Sequence, residues 1–204
     1  MISALAKQLT GCDHALVGGH IRRNPEQARQ HSALTPIQFV HSDFAASYLN
    51  VIRERYRTQT PETQSSLQRA GATIDDVMHA KRLLIIQFWR NTGPAKMDFP
   101  LAFCDTRSVA DEAALPLSVT DYAGSGVDFE TLMVTRPTHP SEHHWYYFPE
   151  MTPDEVVVFR TFDTDMAKAG THFWTPHSAF QDPEVQLGQP ARRSIELRAT
   201  CLFM

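Results

Sequence analysis

The stretch FVHSDF, residues 39–44, places two residue types that bind metal ions one position apart. His41 and Asp43 flank Ser42, and in an extended strand the residues at i and i+2 point to the same face. One imidazole and one carboxylate supply two of the three protein ligands in the facial arrangement that holds non-haem Fe(II). The alternative is a solvated strand that carries His and Asp by chance, so the hypothesis needs a second histidine from elsewhere in the chain.

The C-terminal part of the chain contains the groups that such a site still needs. His172 and His177 precede or begin a predicted strand, and Arg192 and Ser194 form an Arg-x-Ser pair on the next one. A guanidinium presents a fork of donors to a carboxylate, and a serine hydroxyl adds one more. An Arg-x-Ser pair alone usually belongs to a salt-bridged strand, but the order His-x-Asp, distant His and Arg-x-Ser is more specific. This order predicts a site for the distal carboxylate of 2-oxoglutarate, whose keto acid end chelates iron. Both histidines are candidates for the third ligand.

Composition and charge narrow the class of protein. The 204 residues are 42% hydrophobic and 21% charged, with a formal net charge of −4, which suits one globular domain spanning residues 1–204. A net negative chain without a basic block argues against nucleic acid as a partner. No run of about 18 apolar residues exists and the first residues lack the pattern of a signal peptide, so we expect no membrane partner.

The cysteines indicate the compartment. Cys12, Cys104 and Cys201 are odd in number and far apart, a pattern that predicts neither a disulfide framework nor a CxxC metal site. We therefore expect a reducing, cytoplasmic location.

The order of predicted elements indicates the fold class. Helical patterns occupy residues 2–10, a stretch after FVHSDF, and two short segments up to residue 79, the last capped by Thr73 and Asp76. Apolar and aromatic strand patterns then dominate: RLLIIQFWR, FPLAFCD, FETLMVT, HHWYYFP, EVVVFRTFD, THFWTPHSAF and RRSIELRATCLF. Many short strands after a helical region predict a mainly β protein with flanking helices, which we interpret as a double-stranded β-helix, the jelly-roll or cupin-like fold.

Several long segments resemble a known family. They are VHSDF, GPAKMDFPLAFCDTRSV, HHWYYFPEMTPDEVVVFRTFD, HSAF with a following DP, and RRSIELRATCLF. Together they resemble the fungal and bacterial hydroxylase/desaturase family that includes gibberellin-desaturase-like and AsaB-type proteins and the CmcJ component of cephamycin methoxylation. That family is similar to Fe(II)/2-oxoglutarate oxygenases of secondary metabolism. Its members carry an additional N-terminal segment, so we expect this chain to be N-terminally short compared with them.

The resemblance implies a role for particular residues. It implies that His41, Asp43 and His177 bind iron and that Arg192 and Ser194 bind 2-oxoglutarate. It favours His177 over His172 because the PHSAF context matches the family.

Five further residues are candidates for the surroundings of the metal. We expect Gln87 and Tyr147 to contact the cofactor, Tyr147 by donating its hydroxyl to a carboxylate. Trp89 and Arg90 follow a buried strand and are expected to touch the substrate. Arg198 lies on the same strand face as Arg192 by parity and is expected to reach the substrate or to form a salt bridge.

The resulting expectation is an Fe(II)/2-oxoglutarate-dependent dioxygenase that hydroxylates or desaturates a small molecule with O₂ and releases succinate. A Zn-dependent hydrolase that uses the same His/Asp/His set is one alternative. A non-catalytic partner subunit of a biosynthetic enzyme complex is another, and a homodimer or a partner enzyme is allowed in either case.

Overall fold

The computed structural model describes residues 1–185 and 190–204. Within these ranges the α-helices are α1 (Ile2–Thr10), α2 (Pro25–Gln30), α3 (Tyr48–Arg57), α4 (Pro61–Ala70), α5 (Ile74–His79) and α6 (Thr164–Lys168). The strands are β1 (His14–Arg23), β2 (His41–Ser42), β3 (Arg82–Asn91), β4 (Leu101–Cys104), β5 (Ala114–Val119), β6 (Phe129–Val134), β7 (Trp145–Tyr147), β8 (Val157–Asp163), β9 (His177–Ala179) and β10 (Ser194–Phe203).

The strands form two antiparallel sheets that face each other. One sheet has the order β1-β10-β3-β8, and the other has the order β5-β6-β2-β9-β4-β7. Across the interior, the ring of Phe159 on β8 lies 4.8 Å from Phe103 on β4 and 5.0 Å from His177 on β9. The prediction of a mainly β jelly roll with flanking helices is therefore confirmed.

The central strand β3 has a nearly continuous apolar sequence because both of its faces are covered. Its even residues, Leu84, Ile86 and Phe88, pack with Ala199 and Cys201 of β10 beneath α1 on the outer face of the sheet. Its odd residues Leu83 and Ile85 belong to a separate inner cluster, to which α3, α4 and α5 contribute Ile52, Tyr56, Leu67 and Val77. The three helices thus fill one end of the sandwich.

Farther along the same inner face the side chains become polar. On β3, the apolar residues Leu83 and Ile85 are followed by Gln87. On the neighbouring strand β10, Leu202 pairs with Leu83, and Arg198 pairs with Gln87. The residues of this buried polar half are Gln87, Asn91, Ser194, Glu196 and Arg23. One half of the interior is therefore an apolar core and the other half is lined by groups that can bind a polar ligand.

Local signals in the sequence explain the helix ends. Gly11 ends α1 with φ 72°, a left-handed conformation that favours glycine. The predicted cap at α5 is confirmed, since the Thr73 side chain accepts from the Asp76 amide and Asp76 accepts from the Thr73 amide. Among the described residues, none of the helices has the length and apolar character needed to cross a bilayer.

The structure differs from the predicted elements at several places. The strands predicted around FVHSDF and THFWTPHSAF are reduced to β2 and β9, with two and three residues. Strand β5 and helices α2 and α6 were not predicted. Helix α2 was missed although Asn24 caps it and Pro25 occupies its first turn, both of which are helix-start signals.

The inner apolar cluster indicates where replacing a side chain by alanine should lower the stability of the fold most. Phe162 is 1% exposed and belongs to this cluster, whereas Phe148 is 57% exposed. We expect Phe162→Ala to lower the free energy of unfolding in urea by about 3–5 kcal/mol, because it removes a buried ring and leaves a cavity. The matched change Phe148→Ala should alter it by less than about 0.5 kcal/mol. Equal effects of the two changes would contradict this assignment of the core.

Candidate metal centre

Three metal-binding side chains converge at the centre of the six-stranded sheet. His41 on β2 lies directly opposite His177 on β9 in the antiparallel register, and Asp43 follows β2 by one residue. One donor atom from each residue lies within 4.8 Å of the others, and the residues are 6%, 4% and 9% exposed in that order. The Oδ1 atom of Asp43 lies 3.7 Å from Nε2 of His177. The two histidines come from distant parts of the chain, so strand pairing creates the cluster.

Ser42 fixes the strand that carries two of these ligands. It is fully buried, and its hydroxyl accepts a hydrogen bond from the Thr175 amide at 3.3 Å. Its carbonyl accepts another from the Thr131 hydroxyl at 2.7 Å. Ser42 therefore ties β2 to β6 on one side and to the segment before β9 on the other, which holds His41 and His177 in register.

Both histidines are oriented by the same local hydrogen bond. The Nδ1 atom of His41 donates to the carbonyl of Phe39 at 2.9 Å, and that of His177 donates to the carbonyl of Thr175 at 3.0 Å. Because a carbonyl only accepts, the proton of each neutral ring lies on Nδ1. The lone pair of Nε2 is then free for a metal ion, which is the usual arrangement of a ligating histidine.

The electrostatic environment keeps His41 in its ligating form. Burial, followed by the nearby His177, lowers the pKa of His41 to about 4. An imidazole with this pKa is neutral near pH 7, and only the neutral ring offers a lone pair to a metal.

Asp43 is held by Arg198 from the facing sheet. Nη2 and Nε of Arg198 lie 3.1 Å and 3.2 Å from the same carboxylate oxygen, Oδ2. Burial opposes the charge of Asp43, but Arg198 and the two histidines outweigh this effect and lower its pKa. Asp43 is therefore an ionised carboxylate whose other oxygen, Oδ1, faces His177.

A small cavity lies between the sheets beside these three residues. Its lining combines the metal-binding side chains with charged, amide and apolar groups. The lining residues are Arg23, Ile37, His41, Asp43, Gln87, Trp89, Leu101, His177, Arg192 and Glu196.

Arg192 contributes a buried cation to this cavity. It is 4% exposed, and its guanidinium lies 5.4 Å from the centre of the Trp89 ring and donates to the carbonyl of Phe99 at 3.2 Å. Among residues 1–185 and 190–204, its Nε has no hydrogen-bond partner and no carboxylate lies within salt-bridge distance of its guanidinium. Burial, followed by the positive charge of Arg23, lowers the pKa of Arg192 to about 10, so the side chain remains charged. Such a group is stabilised by an anion.

Two further polar atoms in the cavity lack partners among the described residues. They are Nε1 of Trp89 and Oε1 of Gln87, on residues that are 2% and 1% exposed. A buried polar group without a hydrogen bond costs about 1–3 kcal/mol, so a ligand that supplies these bonds would bind here favourably.

The structure places the remaining candidate residues at different distances from the site. Ser194 is buried on the inner face of β10, opposite Asn91, but outside the described cavity lining. Arg90 is exposed because it points to the outer face of β3. Tyr147 is 39% exposed on the edge strand β7 and packs against Phe180 at 5.1 Å. Arg198 contacts Asp43 and so lies next to the metal ligands.

His172, the rival third ligand, lies apart from the metal-binding cluster. Its Nε2 is 3.0 Å from Oδ1 of Asp111, which is an exposed carboxylate. The structure therefore brings His177, and not His172, to His41 and Asp43.

Sequence reasoning missed Arg23, Ile37, Leu101 and Glu196 as cavity residues. Glu196 had a detectable signal, because it alternates with Arg192, Ser194 and Arg198 on one strand face. Arg23 had none, since its position depends on the pairing of β1 with β10.

The fold and the site together define a jelly roll with a His-x-Asp…His cluster between its sheets. The chain belongs to the family described as Oxidoreductase/YMDC permease-like domain, whose model matches residues 1–202. It is 29% identical to the hydroxylase/desaturase CTB9 of Cercospora beticola over 97% of this chain and 60% of that protein. It is 32% identical to the hydroxylase/desaturase efuI of Hormonema carpetanum over 95% of this chain and 65% of that protein. The predicted resemblance to hydroxylase/desaturase proteins is thus confirmed.

A solved structure shares the fold at low sequence identity. It is the iron and alpha-ketoglutarate-dependent endoperoxidase NvfI, with a TM-score of 0.69, 22% identity, and coverage of 98% of this chain and 66% of that one. The chain spans about 60–65% of the length of the two curated relatives.

The convergence of His41, Asp43 and His177 predicts that His177 and His172 contribute differently to metal affinity. We expect His177→Ala to weaken the binding of Co²⁺ by more than about 100-fold in calorimetric titration, because losing a ligand exceeds the roughly 10–100-fold effect of losing a ligand's partner. His172→Ala should leave the affinity unchanged. If the His172 change weakens binding as much as the His177 change, the ligand assignment is wrong.

Proposed function

We propose that this chain is an oxygenase that depends on Fe(II) and 2-oxoglutarate and acts on a small organic molecule with O₂. One observation carries the proposal: a 2-His-1-carboxylate cluster lines the same cavity as a buried guanidinium that has no carboxylate partner in the part of the chain that the structure describes. The relatives named hydroxylase/desaturase support the same class of reaction.

The donor set of the cluster fits Fe(II). Two neutral imidazole nitrogens and one carboxylate oxygen form the facial arrangement of non-haem iron sites and leave three positions open. His41, Asp43 and His177 would hold the metal through Nε2, Oδ1 and Nε2. When bound, Fe(II) supplies the activation of O₂ that is coupled to conversion of 2-oxoglutarate into succinate and carbon dioxide.

The second carboxylate of 2-oxoglutarate is proposed to bind Arg192. A guanidinium forms strong charge-assisted hydrogen bonds with a carboxylate, and the free Nε of Arg192 is available for one. The indole Nε1 of Trp89 is a further donor on the same side of the cavity, because the ring lies beneath the guanidinium. Gln87 supports a different contact, since its Oε1 accepts a hydrogen bond from a hydroxyl or amide of a ligand.

The aromatic residues beside the site orient the two histidines. Phe159 packs edge-on against His177 at 5.0 Å, and Phe39 lies 5.0 Å from His41. These contacts restrict the rotation of both imidazoles and so help to hold their Nε2 atoms in position.

The same geometry allows Zn²⁺ to bind, as in a hydrolase with two histidines and one aspartate. Arg192 favours the oxygenase, because a hydrolase of that kind has no need for a second carboxylate site. A non-catalytic partner subunit would bind neither cofactor productively. Incubation of the purified chain with Fe(II), O₂ and 2-oxoglutarate should form succinate, and absence of succinate in a metal-loaded sample would contradict the oxygenase.

We also propose that residues 1–204 form a single oxygenase domain and that the protein works in the cytoplasm. The free, buried state of Cys12, Cys104 and Cys201 supports a reducing compartment.

Arg192 provides the sharpest test of the cofactor. Arg192→Met should weaken anaerobic binding of 2-oxoglutarate to the Fe(II)-loaded protein by about 1.5–3 kcal/mol, or roughly 10- to 150-fold, because it removes a charged hydrogen-bond donor. The visible charge-transfer band of the iron complex measures the binding. Arg193→Met is the matched control, since Arg193 is exposed and pairs with Glu26 at 2.7 Å. Equal affinity in the wild type and the Arg192 variant would exclude this residue from the role.

A further inference from the structure

We infer that Arg198 is a positioning residue that restricts Asp43 to a single metal-binding oxygen and thereby preserves an open coordination position. The inference rests on the proposed metal site and concerns how the protein controls it. Neither the sequence comparisons nor the proposed reaction assigns this role to Arg198.

The hydrogen bonds of the carboxylate carry the inference. The Nε atom of Arg198 donates a hydrogen bond to Oδ2 of Asp43 at 3.2 Å, Nη2 makes an ion-pair contact of 3.1 Å with the same oxygen, and neither nitrogen donates to Oδ1. A usual Arg–carboxylate fork places one N–H on each oxygen. Here both donors converge on one oxygen, so Oδ2 is engaged and Oδ1 is left towards Nε2 of His177.

The contact of Arg198 with only one oxygen of Asp43 affects how many coordination positions stay open on the metal. An octahedral metal with two histidines and one carboxylate oxygen retains three positions, enough for a chelating keto acid and one O₂. A carboxylate that binds through both oxygens takes one of these three. Engagement of Oδ2 by Arg198 prevents this loss.

The guanidinium of Arg198 is itself fixed on several sides. It lies 5.3 Å from the centre of the Phe44 ring, and its Nη2 is 3.9 Å from Oε1 of Glu196. The same oxygen of Glu196 pairs with Arg23 at 3.1 Å. Arg23 in turn donates to the carbonyls of Ala33 and Thr35 at 2.7 Å and 2.9 Å. Arg198 is therefore anchored to the four-stranded sheet while it holds a ligand of the other sheet.

The experiment counts the water molecules on bound Mn²⁺ by water-proton relaxation, in the absence of 2-oxoglutarate. The wild-type protein should carry three waters, one for each open position. Arg198→Met removes the donors to Oδ2, and we expect two waters because Asp43 then binds through both oxygens. Arg198→Lys and Arg198→Gln each retain a donor and should restore three.

The chain offers a control at the start of strand β3 in the same sheet. Arg82 donates from Nη2 to Oδ2 and from Nε to Oδ1 of a buried aspartate, Asp163, at 2.6 Å and 3.2 Å, and it also lies over an aromatic ring, Phe203. Arg82→Met removes a comparable ion pair away from the cavity and should keep three waters, even where it lowers stability.

The outcomes separate the inference from the proposed function. Three waters in Arg198→Met, loss of Mn²⁺ binding by that variant, or two waters in Arg82→Met would overturn the inference. Mn²⁺ binding by the wild type that does not depend on His41, tested with His41→Ala, would overturn the metal site itself. Two waters in Arg198→Met with three in every other folded variant is the result expected.

Discussion

Desolvation of charge is the constraint on which this structure depends. The interior between the two sheets contains ionised side chains, and a buried ion without a partner costs several kcal/mol. Arg23, Glu196, Arg198 and Asp43 meet this constraint as a chain of alternating charge that crosses from β1 to the ligand strand. The pKa of Glu196 illustrates the balance: burial would raise it, but Arg23 and Arg198 outweigh burial and lower it. The row of charges therefore links the two sheets beside the metal-binding cluster.

The division of the interior into two halves separates stability from ligand binding. The end filled by α3, α4 and α5 buries large apolar side chains such as Phe162 and Leu202, and such burial is the main favourable contribution to folding. The other end leaves Gln87, Trp89 and Arg192 with unsatisfied polar atoms. Each unsatisfied atom is a cost to the free protein that a ligand can remove, so the apolar half offsets the imperfect packing that a binding cavity requires.

The sequence allowed the fold class and the ligand cluster to be predicted because both depend on short, regular signals. The alternation of His41 and Asp43 survives although β2 is much shorter than predicted, since the parity of side chains does not depend on strand length. Tyr147 shows the limit of such reasoning. It was a candidate because its hydroxyl could donate to a carboxylate. In the structure it pairs with Ala102, between the inward-facing Leu101 and Phe103, and points away from the cavity.

Contacts that depend on the register between distant strands could not be predicted. Arg198 was expected to reach the substrate or to form a salt bridge, and the structure shows ion pairs with Asp43 and Glu196. No local pattern in the sequence indicates that β10 lies across from Asp43. The same holds for Arg23, which reaches the cavity only because β1 pairs with β10 in one register, with an irregularity between Val17 and His20 that changes which side chains point inward.

Burial lowers the pKa of both kinds of basic group in the cavity but has different consequences for their charge, and this difference suits the proposed chemistry. It lowers the pKa of His41 to about 4, below neutral pH, and so removes the positive charge that would repel a metal ion. It lowers the pKa of Arg192 only to about 10, so the guanidinium keeps its charge in an equally dry environment. The intrinsic pKa of each side chain thus decides the outcome of the same desolvation. A single buried cavity can therefore contain both a neutral imidazole that binds a metal ion and a charged guanidinium that binds a carboxylate. A dicarboxylate that chelates iron at one end requires both groups.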